Sequence, residues 1–132
     1  MRINKVFYKD QLIHDYSVII DVRTPSEFKE DHIPKSINCP VLSDKQRHEI
    51  GISYKENSFL AKKNGAELIS SNISKIIKKI KFDKKDKVLI YCWRGGLRSL
   101  SLYLVLKQIG YDVYLLDGGY KSFRKRVVEY LD

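Results

Sequence analysis

The 132-residue sequence contains only two cysteines, Cys39 and Cys92, so neither a disulfide framework nor a Cys-rich zinc spacing organises it. Its three prolines and seven glycines gather into no linker or low-complexity tail. No apolar run approaches the roughly 20 residues that cross a bilayer. The opening Met1-Arg2-Ile3-Asn4-Lys5 begins no signal peptide. These absences lead us to expect a cytoplasmic chain with reduced thiols and no membrane association. The string Gly-x-x-x-x-Gly-Lys-Ser/Thr is missing, and no Gly-Lys pair occurs, which excludes a P-loop within these residues. Acid is scarce relative to base: 16 Asp+Glu face 25 Lys+Arg, a formal charge of +9. That surplus favours an anionic partner such as RNA, although a merely solvated basic surface has the same composition.

The 43% hydrophobic content is enough for one domain, residues 1–132, with a packed core. Short apolar runs read as strands: Val6-Phe7-Tyr8, Val18 to Val22, Ile37-Asn38-Cys39, Val88 to Tyr91 and Val113 to Leu116. Helical segments separate them. Ser26, after Pro25, is a candidate cap for a short turn, and Ser43 to Arg47 starts a polar helix. Asn57 to Gly65 reads as helix with Gly65 as its end. Glu67 to Ile80 carries apolar residues at helical spacing, Ser99 to Ile109 is closed by Gly110, and a last helix spans Tyr120 to Leu131. Alternating strands and helices imply an α/β domain with a mainly parallel five-stranded sheet flanked by helices. Ligands of such sheets sit beyond the carboxyl ends of the strands, where Asp21, Cys92 and Asp117 all fall.

The most informative stretch is Cys92-Trp93-Arg94-Gly95-Gly96-Leu97-Arg98-Ser99. It joins the strand ending at Tyr91 to the helix that follows. Gly95 and Gly96 let the backbone curl so that N–H groups converge on one spot. The helix N-terminus and the charges of Arg94 and Arg98 favour a thiolate, the nucleophilic form, and a second anion beside it. Cys92 is therefore the candidate catalytic residue, and Trp93 to Ser99 the candidate anion-binding loop.

Asp21-Val22-Arg23-Thr24-Pro25, Glu27-Phe28, and His32-Ile33-Pro34 with Ile37-Asn38 resemble the amino-terminal half of a rhodanese domain. Leu116-Asp117-Gly118-Gly119-Tyr120 resembles the segment near its end. The string from Cys92 to Ser99 resembles one branch, the tRNA 2-selenouridine synthases, as do Leu42-Ser43-Asp44 and Gly51-x-x-Tyr54-Lys55. Asp31 and Lys35 depart from the pattern, standing where glycines are usual.

The resemblance implies a rhodanese fold and selenium-for-sulfur exchange in wobble 2-thiouridine of tRNA. Selenophosphate would be the donor, geranyl diphosphate a family co-substrate, and no cofactor permanently bound. The loop would bind the phosphoryl group while Cys92 attacks selenium and retains it as Cys–S–Se⁻ after phosphate leaves. Full synthases carry a P-loop domain, so the resemblance implies either a split enzyme with a separate P-loop protein as partner, the preferred reading, or an excised or degenerate module. Two other activities stay open: a stand-alone sulfurtransferase, and a small Cys-dependent phosphatase or arsenate reductase. The second is suggested by the five residues between Cys92 and Arg98, although Tyr91 stands where such phosphatases carry histidine. A noncatalytic scaffold that binds the P-loop partner is a further alternative.

Around the loop, Asp21 and Arg23 are supporting residues that either organise it or form a structural ion pair. Trp93 either stacks on a base or prenyl group or packs the loop. Lys121, Arg124, Lys125 and Arg126, beside Tyr120, form a basic stretch that is either a solvated helix face or an RNA or partner contact. The segment from Leu42 to Gly65 is either a solvated flap or a wall beside the loop. Cys39 reads as an inert buried thiol, or as a resolving thiol if close to Cys92. Glu27 and His32 read as local hydrogen-bonding residues, and no metal site is expected.

Overall fold

Successive strand residues point to opposite faces of a sheet, and the apolar residues here sort by that rule. The computed structural model describes residues 2–131. Its strands are β1 (Lys5–Val6), β2 (Val18–Asp21), β3 (Ser36–Asn38), β4 (Lys87–Tyr91) and β5 (Asp112–Leu116). They form one sheet in the order β1-β5-β4-β2-β3, and every neighbouring pair is parallel. The helices are α1 (Leu12–Asp15), α2 (Pro25–Glu30), α3 (Asp44–Glu56), α4 (Ser58–Lys79), α5 (Leu97–Ile109) and α6 (Gly119–Leu131). None is long and apolar enough to cross a membrane.

Ile20, Val88, Ile90, Val113 and Leu115 share one face with Cys92 and pack against Ile73 of α4 and Leu102 and Leu106 of α5. Ile19, Leu89, Tyr91 and Leu116 take the other face, against Leu12 of α1 and Tyr120 and Phe123 of α6. The register pairs Ile20 with Ile90 and Asp21 with Tyr91, so β2 and β4 end side by side. Tyr91 is fully buried, and its hydroxyl accepts from the Ile33 N–H and bonds the Ser36 hydroxyl, both at 3.1 Å. The polar end of this large side chain is thereby satisfied inside the core.

Several boundaries differ from the sequence expectation. β1 stops at Val6, and Phe7 is 75% exposed. β3 begins one residue early, and the four-residue α1 was not anticipated. The cap of α2 is Thr24, not Ser26: Pro25 takes the first helical position, and Thr24 and Glu27 form a reciprocal capping box.

Gly65 ends no helix. The break lies at Asn57, whose side chain accepts from the Leu60 N–H at 3.1 Å and starts the 22-residue α4. Residues 42–65 form α3 and the first turns of α4, two packed helices anchored where the Asn72 amide donates to Val41 O and Gln46 Oε1, each at 2.9 Å. Gly65 is buried beneath Ile50 of α3, where an added Cβ would meet Ile50 Cδ1 at 3.5 Å, an ordinary contact. Gly65→Ala is therefore expected to stabilise the fold by about 0.5–1 kcal/mol through helix propensity, read as a raised urea midpoint with unchanged slope.

Candidate active site

The strand parity that buries Val88 and Ile90 also carries Cys92 onto the α5 side, where it is 3% exposed. The chain then turns through Gly95 at φ +76°, and α5 begins after Gly96 with no side-chain cap. The N–H groups of its first turn thus remain open to an anion. The Gly96 N–H donates to Cys92 Sγ at 3.0 Å. Ser99, 1% exposed, places its hydroxyl 3.1 Å from the same sulfur and 3.2 Å from Gly96 O. The Gly96 amide is thus a fixed donor to the sulfur, while the single Ser99 hydroxyl proton serves either the sulfur or Gly96 O.

The loop rests directly on the start of α6. The Tyr120 N–H donates to Cys92 O at 2.7 Å, and the Lys121 N–H to Trp93 O at 2.9 Å. Gly119, at φ +56°, lies so close that any Cβ would collide with Cys92 O and sit 2.8 Å from Gly95 N. Glycine is required there for both conformation and space.

Asp21 and Arg23 pair with each other instead of reaching the loop arginines. Both are buried, and Arg23 Nη2 lies 2.8 Å from Asp21 Oδ2. Burial opposes the guanidinium charge, but the Asp21 bonds outweigh it and push the Arg23 pKa up. Arg23 also donates to Asp31 O at 2.6 Å and sits 4.1 Å over the Tyr120 ring, while the Tyr120 hydroxyl donates to the Asp31 carboxylate. The pair is structural, and through Tyr120 it also supports the loop.

Arg98 turns away from the sulfur's own contacts. Its Nη1 lies 2.9 Å from Glu27 Oε1, and Arg47 Nη1 of α3 lies 2.7 Å from the same oxygen. Burial pushes the Glu27 pKa up, but the Arg98 hydrogen bond and charge, the Thr24 N–H and Arg47 together pull it down to about 2. The sequence indicated only a local hydrogen-bonding role for Glu27, which its capping box with Thr24 fulfils; its ion pairs with Arg98 and Arg47 were missed. Arg94 is exposed and, among the described residues, has no carboxylate partner. Leu97 is 75% exposed.

A cleft of about 590 Å³ beside the loop gathers Trp93, Tyr120, Arg47, Arg124, Glu27 and Asp31. Trp93 is half-buried and tilts against Tyr120 with centroids 5.4 Å apart, so it packs the loop while still lining the cleft. Lys121, Arg124 and Lys125 are exposed. Arg126 is not a free member of that stretch: it pairs with Asp10 through two 3.0 Å bonds. Cys39 is half-buried after β3, with its pKa pushed up by burial and by the charge of Asp21. Among the described residues no group of His, Cys, Asp or Glu is placed to hold a metal.

The model of the rhodanese-like domain matches residues 8–126. The chain belongs to the rhodanese-like family. This rhodanese-like chain is 35% identical over its whole length to the tRNA 2-selenouridine synthase of Shewanella pealeana, covering 38% of that protein. It is 36% identical over 86% of its length to the synthase of Psychromonas ingrahamii, covering 32%. The chain thus spans about a third of the length of these curated relatives. Among solved structures, the N-terminal domain of a protein described as ATP/GTP-binding from Clostridium difficile 630 aligns with a TM-score of 0.81 at 33% identity, covering 94% of this chain and 98% of that one. A human single-domain sulfurtransferase shares the fold, with a TM-score of 0.56 at 17% identity over 94% of this chain and 97% of that one.

Glu27 yields a pH prediction. Its folded pKa lies below its usual value of 4.5, so its contribution is complete above about pH 4.5 and is lost as pH falls toward 2. In urea unfolding, the stability advantage of wild type over Glu27→Gln is expected to be full at pH 6 and to shrink steadily from pH 4.5 to pH 2. A difference that stays constant over that range contradicts this assignment.

Proposed function

We propose that this rhodanese-like domain is the thiol-bearing module of a tRNA 2-selenouridine synthase, with Cys92 as its nucleophile. The observation that carries the reading is the Cys92 sulfur itself. It is buried, accepts the Gly96 N–H, and lies at the uncapped N-terminus of α5. A helix N-terminus and convergent amides stabilise both a thiolate and a tetrahedral oxyanion. Selenophosphate supplies such an oxyanion. Arg94 is free to meet it, and Arg98 is held nearby by Glu27.

Electron counting corrects the expectation that Cys92 attacks selenium. Selenium in selenophosphate is at the selenide level, so forming Cys–S–Se⁻ with release of phosphate would require the removal of two electrons. Attack at phosphorus is redox-neutral. The Cys92 thiolate forms an S–P bond, the P–Se bond breaks, and its electron pair leaves as selenide. Water then cleaves the S–P bond to give phosphate and the regenerated thiol. The selenide adds at C2 of the tRNA thiouridine, and the sulfur departs with its bonding pair. Geranyl diphosphate, as co-substrate, would alkylate that sulfur and improve it as a leaving group. Its activation belongs to the P-loop part of the synthase, supplied from outside these residues on the same or a separate polypeptide.

The test is selenation of 2-thiouridine tRNA by the complete system. Cys92→Ser is expected to abolish it while Cys39→Ser retains most of it; equal losses would instead indicate a two-cysteine relay. Substantial Cys92-dependent hydrolysis of an aryl phosphate would favour a phosphatase.

The cleft with Trp93, Arg47 and Arg124 is the surface we assign to tRNA. Reversing Arg124 and Lys125 to Glu is expected to weaken tRNA binding about tenfold and to flatten its salt dependence, measured by filter binding across a salt series. Unchanged binding would place the tRNA elsewhere.

A further inference from the structure

A second cavity, of about 670 Å³, opens between β3 and the C-terminal half of α4, apart from the residues of the Cys92 loop. Its volume is in the range of small-molecule sites. Ile37, Pro40, Ile76, Ile80 and Phe82 make its walls apolar. Lys35, Lys75, Lys79 and Lys81 also line it, all four exposed, and no carboxylate does. Among the described residues none of these lysines forms an ion pair.

This arrangement is unfavourable for the empty protein. Lys75 and Lys79 are one helical turn apart, where like charges repel. Lys79 complements the C-terminal dipole of α4, but Lys35 comes from a different element and has no such role. Lys35 adopts φ +70°, the one positive φ among the described non-glycine residues. A glycine would take that conformation without strain, so the lysine stands there at a local cost. Charges from two stretches of chain, Lys35 and residues 75–81, thus line a recess whose interior is apolar.

We propose that this cavity binds a small amphiphilic anion, its apolar chain against Ile76, Ile80 and Phe82 and its acidic head group on the lysines. A nucleic-acid backbone has no use for an apolar recess. A membrane surface is met by apolar side chains that protrude; Ile37 does so here, at 48% exposed, whereas Ile76, Ile80 and Phe82 are partly buried. The assignment is independent of the chemistry given to Cys92. Cys39 lines the same cavity and reports on its occupancy.

The experiment uses Cys92→Ser protein, in which Cys39 is the remaining thiol, and follows its alkylation by a maleimide together with calorimetric titration. The probes are monomeric dodecyl phosphate and dodecanoate, with dodecanol and inorganic phosphate as controls. We expect one saturable site for at least one amphiphilic anion, with Cys39 alkylation slowed about tenfold at saturation. Comparing the two head groups identifies whether phosphate or carboxylate is preferred. Lys75→Glu with Lys79→Glu is expected to weaken binding about tenfold. Ile76→Trp, which fills the recess without touching the lysines, is expected to block it. Folding of each variant is checked by circular dichroism. Equal protection by dodecanol, equal binding of phosphate alone, or indifference to the lysine reversal would overturn the proposal. So would binding only to anionic phospholipid vesicles, which would indicate a membrane surface.

Discussion

A buried charge pair, Asp21 with Arg23, is the constraint on which the rest of the site depends. Both side chains are buried and each is the other's ion-pair partner, and removing one partner of such a pair typically costs about 3–5 kcal/mol. Here the pair also has a position to hold. Arg23 spans from the end of β2 to the Asp31 carbonyl and the face of Tyr120, and the peptide of Tyr120 fastens the carbonyl of Cys92. The thiol's location is therefore set by a chain of contacts beginning on the neighbouring strand. Loss of Asp21 would leave Arg23 charged and unpaired beneath the loop, and would disturb the sulfur without touching it.

A second electrostatic arrangement controls the loop from outside. One oxygen of Glu27 receives Arg98 of α5, Arg47 of α3 and the Thr24 N–H. Glu27 thus holds an arginine of the loop in place while partly cancelling its charge. The cation left fully open is Arg94. The surplus of basic residues seen in the composition is accordingly not uniform around the site: Arg126 and Arg98 are engaged, whereas Arg94, Lys121, Arg124 and Lys125 remain exposed.

Much of this was readable from the chain alone, for physical reasons. The five apolar runs were legible because parallel strands buried on both faces are continuously hydrophobic. The Cys92 loop was legible because glycine and arginine interleaved in that pattern suit an anion-binding turn and contribute little to a packed core. Strand ends were less so: Phe7 is apolar but exposed, and nothing local marks where pairing stops. Gly65 misled because one glycine costs a helix only about 1 kcal/mol, which the 22-residue α4 packed on α3 absorbs. The partner of Arg98 was hidden for a different reason. Glu27 lies 71 residues away, and contact across that separation exists only once the sheet has brought β2 beside β4. The β3–α4 recess was hidden likewise, since only the fold brings Lys35 beside the lysines of residues 75–81.

Gly119 gives the loop an unusual relationship to the last helix. No side chain stands between the two, so backbone meets backbone, joined by the bonds from Tyr120 and Lys121. Side chains can rotate to absorb a small displacement, but peptide groups locked by two hydrogen bonds cannot. The loop and the first turn of α6 are therefore coupled directly through their backbones. Arg124 lies only one turn further along that helix, on the cleft. A load applied to α6 by a bound macromolecule would be transmitted to the reactive sulfur with little slack, which makes the helix a lever as well as a surface.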